Sequence, residues 1–337
     1  MVDLSTEYLG LKLANPLVPS ASPLSRDLDM AKRLEDAGAA ALVMYSLFEE
    51  TIHNEERQMQ RFLVDQGTGF AEADSFFPEP PRYSSSLDDY LEHLSALKTS
   101  LDIPVIASLN GVSGDGWISH GLDLQEAGAD ALELNVYYIA AGIAESAVDV
   151  EQRYVSLLQE LKEAVNIPVT LKLSHQFSAL GNLVKQLEHA GADGVALFNR
   201  FYQPDIDLDS LQVTPVLQLS DPHEALLRIR WVALLYGRVR LSLAVTGGIH
   251  SAEDVLKALL AGADVTHLCS ALLLHGPDRL SDILDGMRAW MTDKEYASVS
   301  QLKGSVSQQH AIDPGAFERA NYLDVLDSYS PSTGVLR

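Results

Sequence analysis

Cysteine is almost missing from this chain. Cys269 is the single thiol in 337 residues, so no disulfide can form within the chain. Neither a cysteine-held iron–sulfur cluster nor a zinc-thiolate site can be built from it, and no metal site is expected. Any electrons handled here would pass to an external acceptor. Positive charge is scarce as well: 24 Lys and Arg stand against 47 Asp and Glu, a formal charge of −23. Such a surface repels phosphate backbones and anionic lipid, which argues against nucleic-acid and membrane partners and leaves solubility as the plain reading of the charge. An anionic ligand must then be held by a local arrangement of donors. Long apolar runs are absent, and the opening Met1-Val2-Asp3-Leu4-Ser5-Thr6-Glu7 has neither the basic start nor the apolar stretch of a signal peptide. The expectation is a cytoplasmic protein.

What is present is a globular composition, 47% hydrophobic and 21% charged, and a phrase that recurs. Ala37-Gly38-Ala39-Ala40, Ala127-Gly128-Ala129-Asp130, Ala190-Gly191-Ala192-Asp193 and Ala261-Gly262-Ala263-Asp264 each close a helical pattern and open a strand. Gly just past a helix adopts the left-handed backbone that satisfies the last carbonyls, and small alanines let the chain turn closely into the next strand. The runs after these phrases, 41–45, 131–135, 194–198 and 265–269, are short, mainly apolar and of strand length. A second phrase, with proline where a strand begins, marks 102–109 and 166–173. Segments 15–21 and 241–246 complete eight.

Amphipathic stretches lie between them, such as 179–190 with Leu180, Leu183, Val184 and Leu187 on one face, and 252–261 with Val255, Leu256 and Leu259. Eight rounds of strand and helix predict an α/β fold, a (β/α)8 TIM barrel over residues 1–311, followed by a short helical C-terminal extension over 312–337. A doubly wound open sheet is the alternative. Two connections are long, from Phe48 to about Ser86, with Phe76-Phe77-Pro78-Glu79-Pro80-Pro81 inside, and from Arg200 to about Pro222. Both leave the carboxyl end of a strand, so both are expected over the barrel mouth as lids or substrate walls, or as an oligomer contact that admits a homodimer.

The seventh strand runs into Thr246-Gly247-Gly248-Ile249-His250-Ser251 ahead of a helix, and the eighth into Cys269-Ser270. Paired glycines bring backbone N–H groups close to an anion and the helix start favours negative charge, so this is the expected phosphate cradle. Other strands finish with Ser22, Ser46, Asn110, Asn135, Lys172 and Asn199. Buried polar groups there need partners, which the edge of a flavin supplies. Lys172 stands out, since an unpaired lysine in a strand is costly to bury; it either supports a flavin ring or pairs with Glu133 or another acid.

Taken in order, Leu9-Gly10-Leu11-Lys12-Leu13-Ala14-Asn15-Pro16, Ala21-Ser22, Glu133-Leu134-Asn135, Leu171-Lys172-Leu173-Ser174, Phe198-Asn199, Thr246-Gly247-Gly248-Ile249 and Ser270-Ala271-Leu272-Leu273 resemble the dihydroorotate dehydrogenase family over nearly the whole chain. The resemblance implies an FMN-dependent oxidoreductase that removes hydrogen from a CH–CH bond of dihydroorotate or a related small molecule, in pyrimidine biosynthesis, with hydride passing to flavin N5. It implies that Ala21, Ser22, Ser46, Asn135, Lys172 and Asn199 face the flavin and its ribityl chain, and that Ser220, Gly247, Gly248, Cys269 and Ser270 surround the phosphate. Asn110 joins them as a strand-end amide.

The substrate side departs from the family's pattern. Tyr45 stands where the family has a lysine, Tyr138 at the position of its cysteine or serine base, and Ala140 at an asparagine; Ala73-Asp74-Ser75-Phe76-Phe77-Pro78 offers no counterpart to its asparagine loop. Asp221 replaces a glycine near the phosphate. Tyr138 and His175 are therefore the proton-transfer candidates beside Lys172, Tyr138 on the premise that neighbouring cations lower its pKa. Two other readings stay open: a non-redox aldolase or isomerase acting on a phosphorylated substrate through Lys172, and a flavin-binding protein that has lost catalysis.

Overall fold

The computed structural model describes residues 2–52, 54–55, 85–111, 117–319, 322 and 325. One parallel sheet is built from β1 (Leu17–Pro19), β2 (Leu42–Phe48), β3 (Val105–Asn110), β4 (Ala131–Asn135), β5 (Val169–Leu173), β6 (Gly194–Leu197), β7 (Ser242–Thr246) and β8 (Val265–Leu268). Hydrogen-bonded neighbours run in the order β1-β8-β7-β6-β5-β4-β3-β2. The chain thus winds round once without reversing, and β2 finishes beside β1, where the Ala40 N–H donates to the Leu17 carbonyl at 2.9 Å. An open doubly wound sheet requires a reversal of strand order, so the barrel is the fold.

Helices α1 (Leu28–Asp36), α2 (Ser86–Ser100), α3 (Trp117–Glu126), α4 (Ala147–Ala164), α5 (Leu180–His189), α6 (Glu224–Leu235) and α7 (Ala252–Ala261) alternate with the strands, and α8 (Ser270–His275), α9 (Arg279–Asp293) and α10 (Val299–Leu302) follow β8. Strands covered by helices outside and side chains inside have no polar face, which is why β3, β4 and β5 are buried along their whole length. Leu180, Leu183, Val184 and Leu187 of α5 are all buried, as the spacing requires.

The recurring phrase has a physical role beyond turning the chain. Its fourth residue starts each even strand and donates its N–H to the strand before it: Ala40 to Leu17, Asp130 to Val105, Asp193 to Val169 and Asp264 to Leu243. The three aspartates also accept in return, from Val105 N–H at 2.7 Å, Val169 N–H at 2.8 Å and Leu243 N–H at 2.7 Å. Each carboxylate is paired with a lysine as well, Lys98, Lys162 and Lys303, at 2.5, 2.9 and 2.6 Å. Two residues ahead of the phrase, Glu35, Gln125 and Glu188 accept N–H groups from the connections entering β3, β5 and β7. One sequence unit therefore ties a pair of strands through its backbone four times round the barrel, and through its aspartate three times.

Two hairpins are additions that alternation did not reveal. Thr6–Tyr8 pairs antiparallel with Leu11–Leu13. It closes the amino-terminal end: the buried Tyr8 hydroxyl donates to Thr170 Oγ1 at 3.3 Å, and the Leu9 N–H donates to Ser242 Oγ at 3.0 Å. The long connection after β6 carries an exposed hairpin, Pro204–Asp207 with Gln212–Pro215. Of the long connection after β2, residues 56–84, including Phe76-Phe77-Pro78 and Ala73-Asp74-Ser75, lie outside the described residues. Beyond residue 311 the described part holds a 3-10 turn, Pro314–Phe317, and Tyr322 and Val325 are helical, while Ser328-Tyr329-Ser330-Pro331 lies outside the described residues.

Candidate active site

The carboxyl ends of the strands surround a cavity of about 730 Å³, a size typical of small-molecule and cofactor sites. Strand register places its polar wall. Asn110, Asn135 and Lys172 are successive register partners on β3, β4 and β5, and all three reach the cavity. Asn199, just past β6, donates from Nδ2 to Asn135 Oδ1 at 2.5 Å. Ser46 Oγ lies 2.9 Å from Ser108 Oγ across β2 and β3. Each expected cofactor position lines this one space: Ala21, Ser22, Ser46, Asn110, Asn135, Lys172, Asn199, Ser220, Gly247, Gly248, Cys269 and Ser270.

The floor of the cavity carries charge. Lys172 is 7% exposed; its Nζ lies 3.3 Å from Glu133 Oε1 and donates to Ser20 Oγ at 3.4 Å. Lys172 pairs with Glu133 and still faces the cavity, so the ion pair leaves the flavin-facing role open. Glu133 is fully buried, and its Oε2 finds no hydrogen-bond partner among the described residues. That oxygen stands 3.7 Å from Nδ1 of His267, which is 1% exposed and likewise has no partner at either ring nitrogen among the described residues. Burial pushes the His267 imidazole down to about 4, against the opposing pull of Glu133, so the ring is neutral at pH 7. Unsatisfied buried groups are uncommon, and three such atoms gather in one cluster beneath the cavity.

At the other end, Gly247 and Gly248 have φ of +93° and +81°, the left-handed region that glycine occupies without strain. A Cβ on Gly248 would lie 2.3 Å from the Ala225 backbone nitrogen. The Gly248 N–H donates to Ser220 Oγ at 3.2 Å and the Ser220 N–H donates to Ser270 Oγ at 3.0 Å. These hydroxyls tie the start of α6 to the ends of β7 and β8. Helix α7 then opens on a capping box between Ser251 and Asp254. Asp221 is exposed beside His223 and does not line the cavity. An ammonium and carboxamides at one end, with a glycine turn and hydroxyls at the other, form a donor set that fits FMN.

Tyr138 and His175 stand apart from the cavity lining. The Tyr138 hydroxyl donates to Glu145 Oε2 at 2.5 Å, Arg153 Nη2 reaches Glu145 Oε1 at 2.6 Å, and the guanidinium lies 4.0 Å from the Tyr138 ring centre. Glu145 as acceptor raises the Tyr138 pKa above its ordinary value, with Arg153 pulling weakly the other way. The neighbouring cation thus does not bring it below its ordinary value. His175 is exposed, edge-on to Phe198 with centroids 6.1 Å apart. Tyr45 packs against Tyr90 and lies under Arg26, 4.6 Å from its ring centre. The structure adds Tyr137, Arg200 and His267 to the wall. His267 was legible as a polar residue inside an apolar strand; Tyr137 and Arg200 carry no such signal, since they belong to connections whose path the sequence does not fix.

The sequence profile of the family described as Dihydroorotate dehydrogenase matches residues 82–291. Curated relatives match over nearly the whole chain. The dihydroorotate dehydrogenase B (NAD(+)) catalytic subunit of Thermoplasma acidophilum is 26% identical over 316 residues, covering 90% of this chain and 99% of that protein. The subunits of the same name from Methanothermobacter thermautotrophicus and Methanosarcina acetivorans are 24% identical over 308 residues and 28% identical over 310 residues. They cover 89% and 88% of this chain, and 97% and 93% of their own lengths. The non-redox reading loses ground here, and Lys172 sits in an ion pair rather than as the unpaired amine that a Schiff base requires. The single barrel, its rim cavity and this match together place the chain in the dihydroorotate dehydrogenase family of FMN-dependent oxidoreductases.

Proposed function

We propose that the protein oxidises a CH–CH bond of dihydroorotate, or of a closely related small molecule, and delivers the electrons to an external acceptor. The observation that carries this is the convergence of Lys172, Asn135, Asn199 and the Gly247-Gly248 turn on one cavity at the carboxyl ends of the strands. FMN, when bound, supplies the hydride acceptor. Glu133 and Ser20 each engage the Lys172 ammonium, which leaves it one further N–H for a ligand. The Asn135–Asn199 bond fixes both carboxamides and leaves each with unused donors and acceptors. Tyr137, Phe198 and Tyr202 wall the space.

The proton leaving the substrate carbon needs an acceptor within hydrogen-bond reach. We place that acceptor among partly exposed groups lining the cavity, where Tyr137 stands, and not at Tyr138 or His175. Some curated relatives are named as NAD(+)-linked catalytic subunits, and one, from Aeropyrum pernix, as "Putative dihydroorotate dehydrogenase A (fumarate)". By extension, electrons leave this chain either to NAD(+) through a partner protein, since one cysteine provides no iron–sulfur relay of its own, or directly to a small acceptor such as fumarate. The test is to purify the protein, release its cofactor and identify it, and follow orotate formation from dihydroorotate with NAD(+) or an artificial acceptor. FMN and orotate support the proposal. FMN without turnover of any dihydropyrimidine would make the chain a flavin binder only.

A further inference from the structure

Behind the Gly-Gly turn lies a cluster of charge that neither the motifs nor the family match accounts for. Arg228, on α6, is 6% exposed. Its Nε–H donates to the Thr246 carbonyl at 2.9 Å and its Nη1 to the Glu224 carbonyl at 2.5 Å. A Cβ on Gly247 would sit 3.0 Å from Arg228 Nη2 and 3.3 Å from Cζ, so the guanidinium packs directly against the back of this glycine. The Glu224 carboxylate is shared: Arg228 Nη2 lies 3.4 Å from Oε2, and Arg200, which lines the cavity, reaches Oε1 at 3.0 Å. Two permanent cations on one carboxylate leave a net positive charge, half of it buried, in a chain whose total is −23.

We propose that Arg228, together with Arg200, is a positioning residue for a dianionic phosphate at this end of the cavity. It holds the Thr246-Gly247-Gly248 turn from behind and supplies the charge that the glycine amides alone lack. The inference rests on the FMN reading and concerns the phosphate end only. Burial keeps the field of Arg228 little screened by salt compared with a surface lysine. Gly247→Ala would press on this guanidinium and is a separate matter from the charge.

The experiment titrates the cofactor-free protein with FMN and with riboflavin, which lacks the phosphate, following quenching of flavin fluorescence. Arg228→Met should weaken FMN binding about tenfold, close to 1.4 kcal/mol, and change riboflavin binding by less than about twofold. Arg228→Lys should recover most of the loss, because it restores the charge. A loss shared equally by both flavins, or none for FMN, overturns the proposal. If Arg228→Met does not fold by circular dichroism, Arg200→Met carries the same test with the same outcomes. Wild-type protein that binds neither flavin refutes the FMN reading itself and this inference with it, whereas failure confined to the FMN-to-riboflavin ratio leaves that reading intact.

Discussion

Lys172, Glu133 and His267 form a chain of short steps, 3.3 Å from ammonium to carboxylate and 3.7 Å from carboxylate to imidazole. A cation held in this way favours negative charge arriving in the cavity, so Lys172→Met should slow reduction of the bound cofactor by about 100-fold or more in single-turnover absorbance measurements. Tyr138→Phe should alter the same rate by less than about twofold, since its hydroxyl serves Glu145 rather than the cavity. A large effect would return Tyr138 to the catalytic set. His267 carries a pH signature. Its folded pKa of about 4 lies below the ordinary 6.5, so between these values the unfolded chain binds the extra proton and stability falls as pH drops through that window. The contribution is complete above about 6.5. From pH 7 to pH 5 the wild type should therefore lose about 2 kcal/mol more than His267→Gln in urea unfolding. Equal losses would contradict a neutral buried ring.

The paired strands show how much of the fold the sequence made legible. The repeated Ala-Gly-Ala phrase marked every even strand, and α7 spans Ala252–Ala261 as the apolar spacing required. The first strand is shorter than expected, Leu17–Pro19, because the pairing that defines it ends where the chain turns into the rim. Both hairpins escaped notice for a physical reason. Thr6–Tyr8 and Leu11–Leu13 are too short to show alternation, and Pro204–Asp207 lies exposed with no buried face to impose it. The aspartate clamp was not foreseen either, since a side chain bonding to a strand 21 to 25 residues away leaves no local period. It gives a direct test. Asp264→Ala strands the Leu243 N–H and Lys303, and should cost about 3 kcal/mol in chemical denaturation. A loss below about 0.5 kcal/mol would mean that the clamp is ornamental.

At the scale of the whole molecule, the residues expected around a cofactor meet in one cavity, whereas those expected to move the substrate proton, Tyr138 and His175, do not line it. Asn110, Asn135, Lys172, Gly247 and Gly248 lie at strand ends, where the barrel dictates direction, and they meet in one space. Substrate contacts depend on connections, and the position of Tyr138 in one of them followed from its hydrogen bond to Glu145, a partner that strand logic does not supply. Arg228 was overlooked because it looks unremarkable alone and becomes informative only beside Gly247, and the signal of His267, a polar residue inside an apolar strand, gains meaning only beside Glu133. The most direct measurement is an anaerobic titration of the purified protein with dihydroorotate, followed at the visible flavin band. The account predicts that the band bleaches and that orotate appears in equal amount. A protein whose flavin bleaches with dithionite and stays yellow under excess dihydroorotate would contradict it.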